Sequence, residues 1–172
     1  ACSPNIYRDQ KLGDEIYGSA FICEPVHNLV HREVMQVEGA SWTSQRVEGE
    51  LRSEFLASRD SWFRPVMVRT APDGSLWVAD MYRLVIEHPE WIPEEQQARM
   101  NLRSGHDRGR IYRIKRIGGE PQKLIQIDGR DIKQCLKGLE SSNGWVRDMA
   151  QQLILWNEHL AVSYTHLRAH ET

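Results

Sequence analysis

The chain has 172 residues, 40% of them hydrophobic and 27% charged, with a formal net charge of −2. That length and apolar share suffice for one ordinary domain with its own core, while the near-neutral balance gives no electrostatic case for nucleic acid or an anionic membrane surface. No run of about 18 apolar residues occurs, so this segment carries no membrane span, and no CxxC or CxxCH spacing marks a zinc ribbon or a c-type haem.

The chain opens on Ala1-Cys2-Ser3-Pro4 without an initiator Met and reads as a fragment. Residues 1–18, with Pro4, Gly13, Gly18 and several charges, read as a loop. Residues 19–24 (SAFICE) predict a strand that ends at Pro25, which has no N–H for a ladder. Residues 28–37 alternate apolar and polar and predict a second strand, Gly39 the turn after it, and residues 41–47 a third, edge-like strand, the three forming an antiparallel meander. Cys2 and Cys23 leave two readings open. A disulfide would close a loop of about twenty residues and favour an oxidising compartment; otherwise both are isolated buried thiols.

In residues 50–58, Leu51, Phe55 and Leu56 have the spacing of a short helix. Residues 62–83, WFRPVMVRTAPDGSLWVADMYR, then hold two short runs rich in β-branched and aromatic residues around Pro72-Asp73-Gly74, which predicts a β-hairpin. Trp91-Ile92-Pro93-Glu94-Glu95 has the proline and carboxylates of a helix start, with an end expected near Met100 or Leu102. Residues 110–115 (RIYRIK) alternate as another strand. Beyond residue 128 the period becomes 3.6. Ile132, Leu136 and Leu139 mark one helix, with Cys135 a small core residue in it. Val146, Met149, Ala150 and Leu153 mark a second helix, N-capped by Ser142 or Asn143.

Three stretches carry a family resemblance: CEPVHNLVHRE at residues 23–33, WFRPVMVRTAPDGSLWVADMYRLVIEHPEWIP at 62–93, and GRIYRI at 109–114. They resemble the C-terminal blades of planctomycete-type membrane-bound dehydrogenases. Those are large extracytoplasmic proteins with a propeller similar to that of glucose and sorbosone dehydrogenases, followed by HEAT-type repeats and often a c-type cytochrome module. The resemblance implies a mainly β fold: residues 1–120 as about one and a half blades of a six-bladed β-propeller, then an α-helical HEAT-like hairpin over 128–160. HEAT-type repeats stack on one another, so the chain is expected to continue. Residues 162–172 instead resemble the translation of a sequencing adapter at a metagenomic contig end. They are set aside, with His166 and His170.

The resemblance further implies a fragment of an extracytoplasmic or periplasmic sugar or alcohol dehydrogenase, inactive alone. The parent would use pyrroloquinoline quinone with Ca²⁺ and pass electrons to haem c in a separate module, and this chain's partners would be the missing blades and that cytochrome. The alternative is a non-catalytic propeller and HEAT scaffold that binds glycans or proteins. Asp80, Tyr82 and Arg83, leaving a strand, are candidates for cofactor or substrate binding; an internal Asp–Arg pair pinning the blade end is the competing reading. Arg64, next to the aromatic pair Trp62 and Phe63, would reach the channel or form a cation–π contact. His27 and His31 have i, i+4 spacing that would suit a metal on a helix, but the segment reads as turn and strand. His27, near Glu24, is the weak candidate for a catalytic base. No phosphate loop, GxSxG or HExxH occurs.

Overall fold

The computed structural model describes residues 1–119 and 124–157; residues 162–172, with His166 and His170, lie outside the described residues. The chain is mainly β, with two antiparallel sheets and few helices. No described helix is long and apolar enough to cross a membrane. Two compact units partition it.

The first unit, Ala1–Tyr7, Gly18–Arg69 and Leu76–Ile114, contains both sheets. β1 (Cys2–Ile6), β2 (Ala20–Glu24), β3 (Leu29–Glu38) and β4 (Ser41–Arg46) pair in sequence order. β5 (Leu56–Ala57) joins β3, placing Leu29 opposite Ala57 and Val30 opposite Leu56. The expected meander is present, with β1 added to it. Pro4 does not prevent β1, because the strand lies at the sheet edge, where a missing N–H breaks no ladder bond. The register shifts between Cys2 and Asn5, and Ser3 takes a left-handed φ of 51° there.

Residues 50–58 are not helical. A 3₁₀ turn at Glu48–Glu50 is followed by an irregular stretch and β5. Arg46 Nη2 donates to the carbonyls of Glu50 and Ser53, both at 2.9 Å, and so satisfies acceptors that a helix would have used. Phe55 packs edge-on against Phe21 at 4.7 Å. The apolar spacing there serves packing against β2, not a helix face.

β6 (Pro65–Thr70), β7 (Leu76–Asp80) and β8 (Arg110–Ile114) form the second sheet, in that order. β6 and β7 are the expected hairpin, and β8 pairs with β7, Leu76 opposite Ile114 and Asp80 opposite Arg110. Tyr7, Phe21, Val30, Val68, Leu76 and Val78 are fully buried in this unit. The helix expected after Pro93 is a single turn, α1 (Glu94–Gln97), that buries no residue. Gln97 Nε2 donates back to the carbonyls of Pro89 and Ile92, both at 2.8 Å. With no apolar face to bury, the turn has nothing to extend it.

The second unit comprises Arg8–Tyr17, Thr70–Ser75 and the chain from Lys115. It contains α2 (Ile132–Leu139) and α3 (Gly144–Trp156), the two helices the 3.6 period predicts. Asp131 caps α2, and Asn143 caps α3 by accepting from Trp145 N at 2.8 Å and Val146 N at 3.2 Å. Cys135, Val146 and Ala150 are fully buried. A Cβ on Gly138 would stand 2.8 Å from that of Ala150, so only glycine allows this approach of α2 to α3. Asn143 is itself fully buried and donates through Nδ2 to the carbonyls of Ala71 at 3.0 Å and Pro72 at 3.3 Å. One side chain thereby caps a helix and closes a hairpin turn.

Candidate functional site

The site predicted from residues 80–83 begins inside a strand. Leu76, Val78 and Asp80 alternate onto the buried face of β7, and period-2 geometry carries the Asp80 carboxylate inward with them. Asp80 is 2% exposed. Its Oδ1 accepts from Arg64 N at 2.7 Å and Tyr82 N at 2.8 Å, while Oδ2 makes no hydrogen bond and faces Arg110 Nε at 3.5 Å. An internal Asp–Arg pair therefore exists, but its cation is Arg110, across the β7–β8 ladder.

Arg64 and Arg83 are anchored on backbone. Arg64 donates to the carbonyls of Pro25 at 2.8 Å, Arg83 at 3.0 Å and Leu84 at 3.0 Å. Arg83 donates to the carbonyls of Gly105 and, at 3.4 Å, His106, holding the loop before β8. Tyr82 takes a left-handed φ of 49°, a conformation that costs a non-glycine residue energy; the Asp80 Oδ1 acceptor offsets it locally.

Tyr82 does reach the surface, among groups the sequence did not single out as a site. The Arg110 guanidinium lies 3.9 Å from the centre of the Tyr82 ring and 5.9 Å from that of Tyr112, and the Trp62 ring lies 5.7 Å from that of Tyr82. The Tyr82 hydroxyl donates to Asp60 Oδ2 at 2.9 Å. The Trp62 N–H, and after it the Tyr82 hydroxyl, hold the Asp60 carboxyl below the usual range. Trp62, Tyr82, Arg110 and Tyr112 thus form one aromatic and cationic surface over β8, with Asp60 bound to its rim. Strand alternation hinted at Arg110 and Tyr112, which lie two apart in RIYRI; nothing local hinted at Asp60.

The two histidines do not share a site. His27 is exposed, with Nδ1 3.8 Å from Glu24 Oε1. His31 is held between two carboxylates, Nδ1 against Glu54 at 2.7 Å and Nε2 against Glu33 at 3.2 Å. Arg46 binds Glu54 at 2.8 Å, and the Ser44 hydroxyl donates to Glu33. Burial disfavours the imidazolium, but its bonds to the Glu54 and Glu33 carboxylates outweigh that and raise the His31 pKa. His31 and Glu33 are two apart on one strand, a signal the sequence did carry. Cys2 and Cys23 stand opposite each other in the β1–β2 register as free thiols.

These residues do not fit a Ca²⁺ or quinone site. Asp80 has a guanidinium where a cation would sit, and Arg64 and Arg83 already donate to carbonyl oxygens. Among the described residues no group of His, Cys, Asp and Glu could hold a metal ion. A cavity of 540 Å³ in the second unit is lined by Ile125, Ile127, Gln134, Lys137 and Glu140 among others, and contains none of the predicted site residues.

The family described as a domain of unknown function (DUF7133) matches residues 1–117. The chain belongs to that family. No curated protein and no solved structure matches it. The match contains the whole Asp80 cluster and both sheets, so the surface over β8 lies within the DUF7133 region.

Proposed function

We propose that the chain is a non-catalytic binding module, part of a propeller-like β scaffold followed by a HEAT-like helix pair, and that it docks a partner protein over β8. One observation carries this reading: β8 is the terminal strand of its sheet, four of its five residues are exposed, and it bears the Arg110–Tyr82–Trp62 stack. Trp, Tyr and Arg are the residues that dominate binding energy at protein interfaces, and an open strand edge offers unpaired backbone groups to an extended segment. The dehydrogenase-like parent and its extracytoplasmic setting rest on the sequence resemblance. The anchoring of Asp80, Arg64 and Arg83 on internal partners favours the scaffold over the enzyme.

A displayed library of random peptides selected on the purified chain tests this. Enriched clones are expected to lose at least about tenfold in affinity on Trp62→Ala or Arg110→Ala, as for hot-spot residues. Clones that bind both variants as tightly as the parent chain would overturn the assignment to β8. Dye reduction by the full-length parent reconstituted with pyrroloquinoline quinone, Ca²⁺ and a panel of sugars would instead establish the oxidoreductase reading.

A further inference from the structure

The register of the first sheet sets Cys2 directly opposite Cys23. Directly opposed residues of an antiparallel pair have Cα atoms about 4.5–5.5 Å apart and side chains on one face, within the roughly 4.4–6.8 Å that a disulfide spans. Both cysteines are free thiols. We propose that Cys2 and Cys23 form a dithiol site, oxidised by small-molecule disulfides to a cross-strand bridge, with Cys2 as the attacking sulfur.

The two thiols are unequal, which sets the order of events. Cys23 is fully buried, and burial, followed by the neighbouring Cys2, pushes its thiol up to about 12. Cys2 is part-exposed, and its Sγ donates to the Val66 carbonyl at 3.4 Å. The thiolate is the nucleophile, so the accessible sulfur reacts first. Cys2, having lost its proton to solvent, attacks a disulfide RSSR; a Cys2–SR bond forms, and the RS–SR bond breaks to release RS⁻. Cys23 then gives up its proton and attacks the Cys2 sulfur, forming Cys2–Cys23 and releasing the second RS⁻. The protein loses two electrons and two protons, and RSSR gains two electrons to become two thiolates, which take up protons as their own pKa dictates.

The bridge also changes the edge of the second sheet. In the reduced state Cys2 Sγ donates to Val66, and Ser3 Oγ accepts from Val68 N at 3.1 Å, so β1 covers the outer edge of β6. A bridged sulfur has no proton to donate, and the Val66 carbonyl loses that partner. Oxidation thus ties β1 covalently to β2 while removing one of its bonds to β6.

The test uses the whole chain, equilibrated with oxidised glutathione, quenched with acid, denatured, alkylated and peptide-mapped. The three free thiols should fall to one, with Cys135 alkylated and a Cys2–Cys23 link recovered. Cys23→Ser should stop at a Cys2–glutathione mixed disulfide, and Cys2→Ser should react at least about tenfold more slowly, as expected of a buried thiol. Three thiols remaining at a glutathione redox ratio that oxidises a reference dithiol, or a link that involves Cys135, overturns the site. Cys2→Ser reacting as fast as the parent overturns the order of attack. All of these outcomes are independent of whether β8 binds a peptide.

Discussion

Asp80 shows how a polar side chain at a strand end can act inward. Its carboxylate is the acceptor for two backbone N–H groups, one on either side of the strand end. Asp80→Ala would leave both without that acceptor in a buried setting and is expected to cost on the order of 3 kcal/mol, read by chemical denaturation. Asp80→Asn keeps the acceptor oxygen and should cost less. His31 makes a separate, pH-dependent contribution. Its pKa is raised in the folded state by Glu54 and Glu33, against burial and the nearby Arg46. The folded chain therefore holds the proton more tightly than the unfolded chain does. The stabilisation is fully present below the unfolded value of about 6.5 and is lost as pH rises through the folded pKa. Thermal unfolding midpoints should accordingly fall as pH rises from about 6.5 through the raised folded pKa, with a shallower fall in His31→Gln; equal slopes in the two proteins would show that the carboxylate pair does not act through this proton.

At the scale of elements, the hairpin turn is a tightly constrained connection. Gly74 has φ +75°, and a Cβ there would stand 2.6 Å from Asp9 Oδ1 and from Lys11 Cγ. Gly74→Ala combines a left-handed backbone with a clash, and should lower stability by about 2 kcal/mol or more in a urea titration. Asn143→Ala removes the cap of α3 and both donors to the turn, and about 3 kcal/mol is expected from the loss of a cap plus buried hydrogen bonds. Strands and helices with a clear period were legible in the sequence: residues 76–80 alternate, and residues 132–139 and 144–156 repeat at 3.6. The loop reading of residues 1–18 missed β1, because Pro4 and Ser3 are tolerated at a sheet edge. The helix expected over 50–58 failed because Phe55 and Leu56 answer to Phe21 and Val30, contacts that local spacing does not encode. The candidate site was legible as a cluster, but not in its direction. Asp80 and Arg64 were visible as polar residues near a turn, whereas, apart from the Tyr82 amide two residues on, their amide and carbonyl partners lie 16 to 39 residues away in the chain.

For the molecule as a whole, the open edge of β8 has a consequence for handling it. A terminal strand with exposed Ile111 and Tyr112 is a surface on which a second chain can pair. Ile111→Lys on this strand should reduce concentration-dependent association, measured by light scattering, without loss of the β spectrum; an unchanged association would locate the self-contact elsewhere.

Asn143 also bears on where one structural unit ends. Residues 8–17 and 70–75 lie within the family match, yet they belong to the compact unit that holds α2 and α3, beyond residue 117. Gly144 N donates to the Arg8 carbonyl at 2.7 Å, beside the Asn143 bonds to Ala71 and Pro72. A boundary drawn at residue 117 therefore cuts through a shared hydrogen-bond closure. Insertions in the turn and changes at position 143 should be inherited together, and a protein trimmed at the family limit would carry three backbone carbonyls stripped of these donors.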